Sequence, residues 1–136
     1  MMFRCSLLAV ITSTALLVGC DAENQCAELQ PTGCLPLYEP TFEAVYQNTL
    51  VPSCGQGGIA CHATEGAQGG FAVTDIESTY NALIDDGRVL PYNASCSLLV
   101  TRTETKDATL AMPPGMQLSE AERCAIQTWI TEGAKR

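Results

Sequence analysis

The sequence predicts an all-α domain, and three observations carry the prediction. Apolar residues recur at helical spacing in separate stretches of the second two-thirds of the chain. Two of those stretches open with Thr or Ser followed three residues later by Glu, the spacing of a capping box. The stretches also end at helix stop signals, Pro52, Gly87 and Gly133. With 136 residues, 46% of them hydrophobic and 16% charged, the chain suits one small packed domain rather than two domains or a disordered chain.

Residues 1–19 form a leader. Arg4 supplies a positive start, and residues 6–18 an apolar stretch too short to span a bilayer, so the segment is expected to be a secretory signal. It closes on Leu17-Val18-Gly19-Cys20, which resembles the lipobox of bacterial lipoproteins; the resemblance implies that Cys20 is lipidated and becomes the first mature residue. Residues 20–39 hold two prolines, Cys26 and Cys34, with no helical or strand period, and are expected to be a lipidated tether. The folded domain is assigned to residues 40–136.

Within the domain, Phe42, Val45, Tyr46 and Leu50 share one face of a first helix that Pro52 should stop. Residues 54–70 carry six glycines and the chain's one His, and are expected to be loop. Residues 71–73 fit a short extended piece. Thr74 and Glu77 then cap a second helix bearing Tyr80, Leu83 and Ile84, and a third, short helix should begin near Ser95 and pack through Leu98 and Leu99. A polar loop leads to Met112-Pro113-Pro114-Gly115-Met116. Ser119 and Glu122 cap the last helix, whose face holds Ala125, Ile126, Trp129 and Ile130.

Charge excludes one class of function. Seven Lys and Arg against fifteen Asp and Glu give a net charge of −8, and the basic residues are scattered, so a nucleic-acid partner is not expected. Any charged partner should present a basic docking surface.

Eight cysteines constrain the compartment. Removing Cys5 with the leader and Cys20 to lipid leaves Cys26, Cys34, Cys54, Cys61, Cys96 and Cys124, an even set that in an oxidising envelope implies disulfides, with about 15 connectivities open. A Cys26–Cys34 loop fits the tether, and a Cys96–Cys124 bridge would staple the third helix to the last, contributing about 3 kcal/mol. Cys54 and Cys61, with six residues between them in the glycine-rich loop, could form a third bridge. Taken alone, His62 is ordinarily a solvated loop residue and Met112 and Met116 are ordinarily fillers. One His and oxidisable cysteines make a poor zinc site, and no catalytic Cys-His or Ser-His-Asp set is distinguishable.

The order of features adds a resemblance. Cys54, Cys61-His62, Gly69-Gly70-Phe71, Tyr80-Asn81-Ala82-Leu83, Ser97-Leu98-Leu99, Met112-Pro113-Pro114, Leu118-Ser119 and the run from Trp129 to Ala134 succeed one another as in a single-haem c-type cytochrome domain. Residues 40–136 thus resemble the divergent form of that family found in bacterial surface lipoproteins. The resemblance implies a small cytochrome c-like helical domain with long loops. It implies one covalent haem c, held by thioethers to Cys54 and Cys61 and ligated by His62 and Met112, with Met116 as the fallback ligand. The apolar surroundings implied are Phe71, Leu83, Leu98, Leu99, Leu110, Ile126 and Trp129. The family's usual motif has two residues between the cysteines where this chain has six, so a Cys54–Cys61 disulfide stays open as the alternative.

The function expected is a membrane-anchored electron carrier of the bacterial cell envelope, facing the periplasm or the exterior. It would exchange electrons with a redox partner protein and transform no substrate. The competing reading is a cofactor-free, disulfide-stapled envelope lipoprotein with a binding or scaffolding role.

Overall fold

Three α-helices of two to three turns, a shorter α-helix that runs on into a π-helix, two single 3-10 turns and no strand make up residues 26–136, the part of the chain described by this computed structural model. The all-α expectation is met over those residues. The expected leader, residues 1–19, and the lipidation candidate Cys20 lie outside them. Among the described residues no helix is long and apolar enough to cross a membrane.

Helix α1 (Phe42–Val45) is capped by Thr41, whose hydroxyl accepts the Ala44 amide. It does not stop at Pro52 as expected. The chain runs on as a π-helix, Tyr46–Cys54, with Pro52 inside it. Proline lacks the amide that bonds one turn back and its ring crowds an α turn; the wider π turn, in which Gly55 N–H reaches the Leu50 carbonyl at 2.8 Å, accommodates both defects. Helix α2 (Ile76–Asp85) begins one residue later than expected. Asp75 rather than Thr74 is the cap, its carboxylate accepting the Glu77 and Ser78 amides at 3.1 and 3.0 Å. Helix α3 (Leu98–Glu104) also starts late, because residues 93–97 close a turn in which the Ser97 hydroxyl donates to the Asn93 carbonyl at 2.8 Å. Helix α4 (Glu120–Thr131) has the full reciprocal capping box of Ser119 and Glu122.

The core lies where α1, α2 and α4 meet. The Phe42 ring stands 4.9 Å from that of Tyr80 and 5.3 Å from that of Trp129. Val45, Leu50, Leu83, Val100, Ile126 and Ile130 are all at most 1% exposed around them. The Trp129 indole N–H donates to the Lys135 carbonyl at 2.8 Å, so its one polar atom is satisfied.

The four bridging cysteines pair differently from the expectation. Cys26 joins Cys96 and Cys34 joins Cys124; neither Cys26–Cys34 nor Cys96–Cys124 forms. Residues 26–39 act as a strap across α3 and α4 instead of a loop closed on itself. Ala27 N–H donates to the Ser95 carbonyl, Leu37 N–H to the Ala121 carbonyl, and Gln30 N–H to the Gln127 side chain. Beneath the strap, Glu104 accepts from Arg123, Gln30 and Gln127, and the Glu104 and Arg123 side chains are 8% and 9% exposed. A carboxylate removed from water is tolerated when charge and hydrogen bonds both meet it, and these three partners supply both. The strap therefore covers a satisfied polar network, and its cysteines seal the two ends of that cover.

Candidate functional site

The site is built from the end of the π-helix outward. Leu50 and Cys54, one helical repeat apart, face a cavity of about 280 Å³. Leu83 of α2, Leu98, Leu99, Arg102 and Thr103 of α3, and Met112 of the following loop complete one side; His62, Gln68, Gly69, Phe71 and Arg88 complete the other. His62 and Met112, separated by fifty positions in sequence, thus open onto the same space.

The six residues between Cys54 and Cys61 fold back. His62 N–H donates to the Cys54 carbonyl at 3.1 Å, which closes the loop at its base. Two glycines make the closure possible. Gly57 has φ +97°, and a Cβ there would stand 2.7 Å from the Cys61 Sγ; a Cβ at Gly66 would stand 2.6 Å from the Cys61 carbonyl oxygen. Cys61 is consequently seated against the loop backbone, while Cys54 lines the cavity. Both are free thiols, and they are the unpaired cysteines among the described residues.

The His62 ring is oriented from behind. Its Nδ1 lies 3.1 Å from the Phe71 carbonyl oxygen, and the Phe71 ring meets it edge-on at 5.2 Å between centroids. With Nδ1 donating to that carbonyl, Nε2 is left as the acceptor or ligand nitrogen, the arrangement common to imidazoles that bind metals. Burial pushes the Cys54 thiol up to about 11 from an ordinary 9.0, and the neighbouring Cys61 and Glu122 add to the rise. Cys54 is therefore a protonated, poorly nucleophilic thiol near neutral pH. Arg88 and Arg102 are the charged residues of the lining. Arg88 donates to the Gly69 carbonyl at 2.9 Å, pairs with Asp86 and lies 5.6 Å over the Phe71 ring. Arg102 donates to the Leu110 carbonyl at 3.3 Å.

The expected apolar surroundings are only partly those observed. Phe71, Leu83, Leu98 and Leu99 line the cavity, whereas Ile126 and Trp129 sit in the core and Leu110 is an exposed residue of a neighbouring groove. Ile126 and Trp129 share the apolar face of α4, and that face packs on α1. Leu50, Gln68, Arg88, Arg102 and Thr103 join the lining without being expected there. Leu50 is signalled by its place one helical repeat before Cys54, and Arg102 by its place one turn after Leu98 and Leu99; nothing local marks Arg88. Met116, the fallback ligand, is 64% exposed and outside the lining, so the cavity singles out Met112. Among the described residues no three His, Cys, Asp or Glu side chains gather into a metal-holding cluster. No family model, curated protein or solved structure matches this chain.

Proposed function

We propose that the chain is a membrane-anchored electron-transfer lipoprotein that carries one covalent haem c. The observation that supports it best is the convergence on one largely apolar cavity of His62, Met112 and the free thiol Cys54, with the second free thiol Cys61 next to His62 in the loop. The other four described cysteines are consumed in bridges. The donor set fits the group. Cys54 and Cys61 would hold it by thioethers, His62 Nε2 and the Met112 sulfur would be its iron ligands, and Leu50, Phe71, Leu83, Leu98 and Leu99 would keep it dry. Arg88 and Arg102 would meet its carboxylates, since they place positive charge in an otherwise uncharged lining. When bound, haem c supplies an iron that gains and loses one electron. The chain's contribution is to hold both ligands in place through that change: the Phe71 carbonyl fixes the His62 ring, and the Met112 amide is tied to the Arg102 carbonyl at 2.9 Å. Cys20 is the proposed lipid anchor, which puts the domain at a membrane of the bacterial envelope. The acidic balance of the chain suits a redox partner with a basic docking surface.

One observation favours the competing, cofactor-free reading. At about 280 Å³ the cavity lies just below the range of ligand sites, which run from about 300 to 1,000 Å³. Protein purified from a host able to attach haem c decides between the two. A Soret band that survives denaturation and acid-acetone extraction is expected; a colourless protein with Cys54 and Cys61 unmodified would leave the scaffolding role.

A further inference from the structure

The disulfide pairing fixes where a membrane anchor enters the domain, and the orientation it imposes rests on the lipoprotein reading of Cys20. Six peptide links separate Cys20 from Cys26, a reach of about 20 Å when fully extended. Cys26 is locked to Cys96, and the next amide, Ala27, is held by the Ser95 carbonyl at 2.8 Å, so the leash ends there. Without the strap bridges the leash would run to the start of α1, twenty-two links and about 75 Å. A domain of about 111 residues has a radius of gyration near 13 Å, hence a diameter of about 35 Å. Turning the Cys26 side away from the bilayer would require the leash to travel half the circumference, about 50 Å, which six links cannot cover. The side of the domain around Cys26 is left as the one that can meet the lipid.

That side has the chemistry for it. A groove there is bordered by the strap, α3 and the loop after it, and exposes Leu29, Leu98 and Leu110, each 44% accessible, together with Lys106 and the half-buried Arg102. Glu104 and Arg123 pair with each other beneath the strap, and Arg102 and Lys106 balance the groove's two exposed glutamates, Glu28 and Glu120, whereas the whole chain carries −8. It is therefore a face that an anionic leaflet does not repel, with leucines that can enter the headgroup region and cations that can stay at its level. We infer that this groove is the face on which the domain rests against the bilayer holding its anchor. Leu98 and Arg102 also line the cavity, so the cavity's rim lies beside the lipid surface.

The chain contains two lysines, Lys106 in the groove and Lys135 near the C-terminus, and both side chains are exposed. They serve as paired reporters. The full-length lipoprotein is reconstituted in vesicles of phosphatidylethanolamine and phosphatidylglycerol and acetylated with a membrane-impermeant sulfosuccinimidyl ester. The Lys106 to Lys135 labelling ratio is then read by mass spectrometry. Relative to the soluble Cys20→Ser chain, the ratio is expected to fall at least fivefold on vesicles. A twenty-residue Gly-Ser insertion between Gln25 and Cys26 keeps both bridges and should restore most of the lost labelling. Protein that floats with the vesicles yet labels with the solution ratio overturns the orientation and leaves the anchor standing. Protein that does not float overturns the anchor, and the orientation with it.

Discussion

Replacing cysteines in pairs tests the strap directly, because the observed pairing and the local pairing of Cys26 with Cys34 and Cys96 with Cys124 predict opposite orders of stability. In the chain-entropy account, closing loops of 70 and 90 residues stabilises by about 4.4 and 4.6 kcal/mol at 25 °C. The sum is not reached, since the second closure acts on a chain the first has already constrained. Loops of 8 and 28 residues, the spans from Cys26 to Cys34 and from Cys96 to Cys124, would give about 2.5 and 3.6 kcal/mol. In a soluble Cys20→Ser background, Cys26→Ser/Cys96→Ser removes one bridge of the observed pairing. At about 4 °C per kcal/mol for a domain of this size, its Tm should fall by roughly 15–20 °C. Cys26→Ser/Cys34→Ser destroys both bridges and strips the cover from Glu104 and Arg123, so its Tm should fall further still. With the local pairing the order reverses: Cys26→Ser/Cys34→Ser would lose only the eight-residue loop, about 10 °C, and would be the more stable of the two. Thermal unfolding followed by circular dichroism, with thiol counts on the same samples, reads the order. A Cys26→Ser/Cys34→Ser protein more stable than Cys26→Ser/Cys96→Ser refutes the pairing.

Arg123→Met should cost about 3–5 kcal/mol, because Glu104 would remain buried with two neutral amides and no cation, and urea denaturation measures the loss. In haem-free protein, Cys54 should react with iodoacetamide at pH 8 about a hundredfold more slowly than an ordinary thiol, the consequence of a shift from 9.0 to about 11. Because the folded state holds that proton more tightly than the unfolded chain, stability is level below pH 9 and falls between about 9 and 11; an alkylation rate already at its plateau by pH 9 contradicts the burial. In haem-loaded protein, Met112→Ala should lower the reduction potential and abolish the sulfur-to-iron charge-transfer band while covalent attachment persists, and Met116→Ala should change neither. Cys20→Ser should release the protein from membranes into the aqueous fraction, as phase partitioning will show.

Helices were legible in the sequence where side-chain periodicity and a capping residue coincide. The Ser119–Glu122 box and the Ala125, Ile126, Trp129, Ile130 face both stand in the structure as the sequence foretells. The misplaced boundaries share one cause, since each depends on hydrogen bonds that local spacing does not encode. Asp75 displaced Thr74 as cap, whose own amide is held by the Thr79 hydroxyl at 3.0 Å, and the turn at Asn93 delayed α3. Pro52 misled because a stop signal assumes an α turn, and the chain adopted a π turn. The disulfides were illegible for a different reason. Helix predictions place Cys96 and Cys124 on their own elements but carry no information about an unpatterned segment, and residues 26–39 have no period from which a path across α3 and α4 could be read.

The same distinction applies to the cavity. His62 and Met112 are brought together by elements that each fold for local reasons: the loop closes because Gly57 and Gly66 leave room for Cys61, and Met112 is placed because its amide bonds the end of α3. A wide spacing between Cys54 and Cys61 therefore does not by itself separate the two thiols' neighbourhoods. The hydrogen bond from His62 N–H to the Cys54 carbonyl makes the six intervening residues an excursion from a closed base. The glycines, more than the length of the loop, thus set the geometry. Lengthening the excursion at its tip should be tolerated, whereas any side chain at Gly66 must displace the Cys61 carbonyl and, with it, the adjoining imidazole.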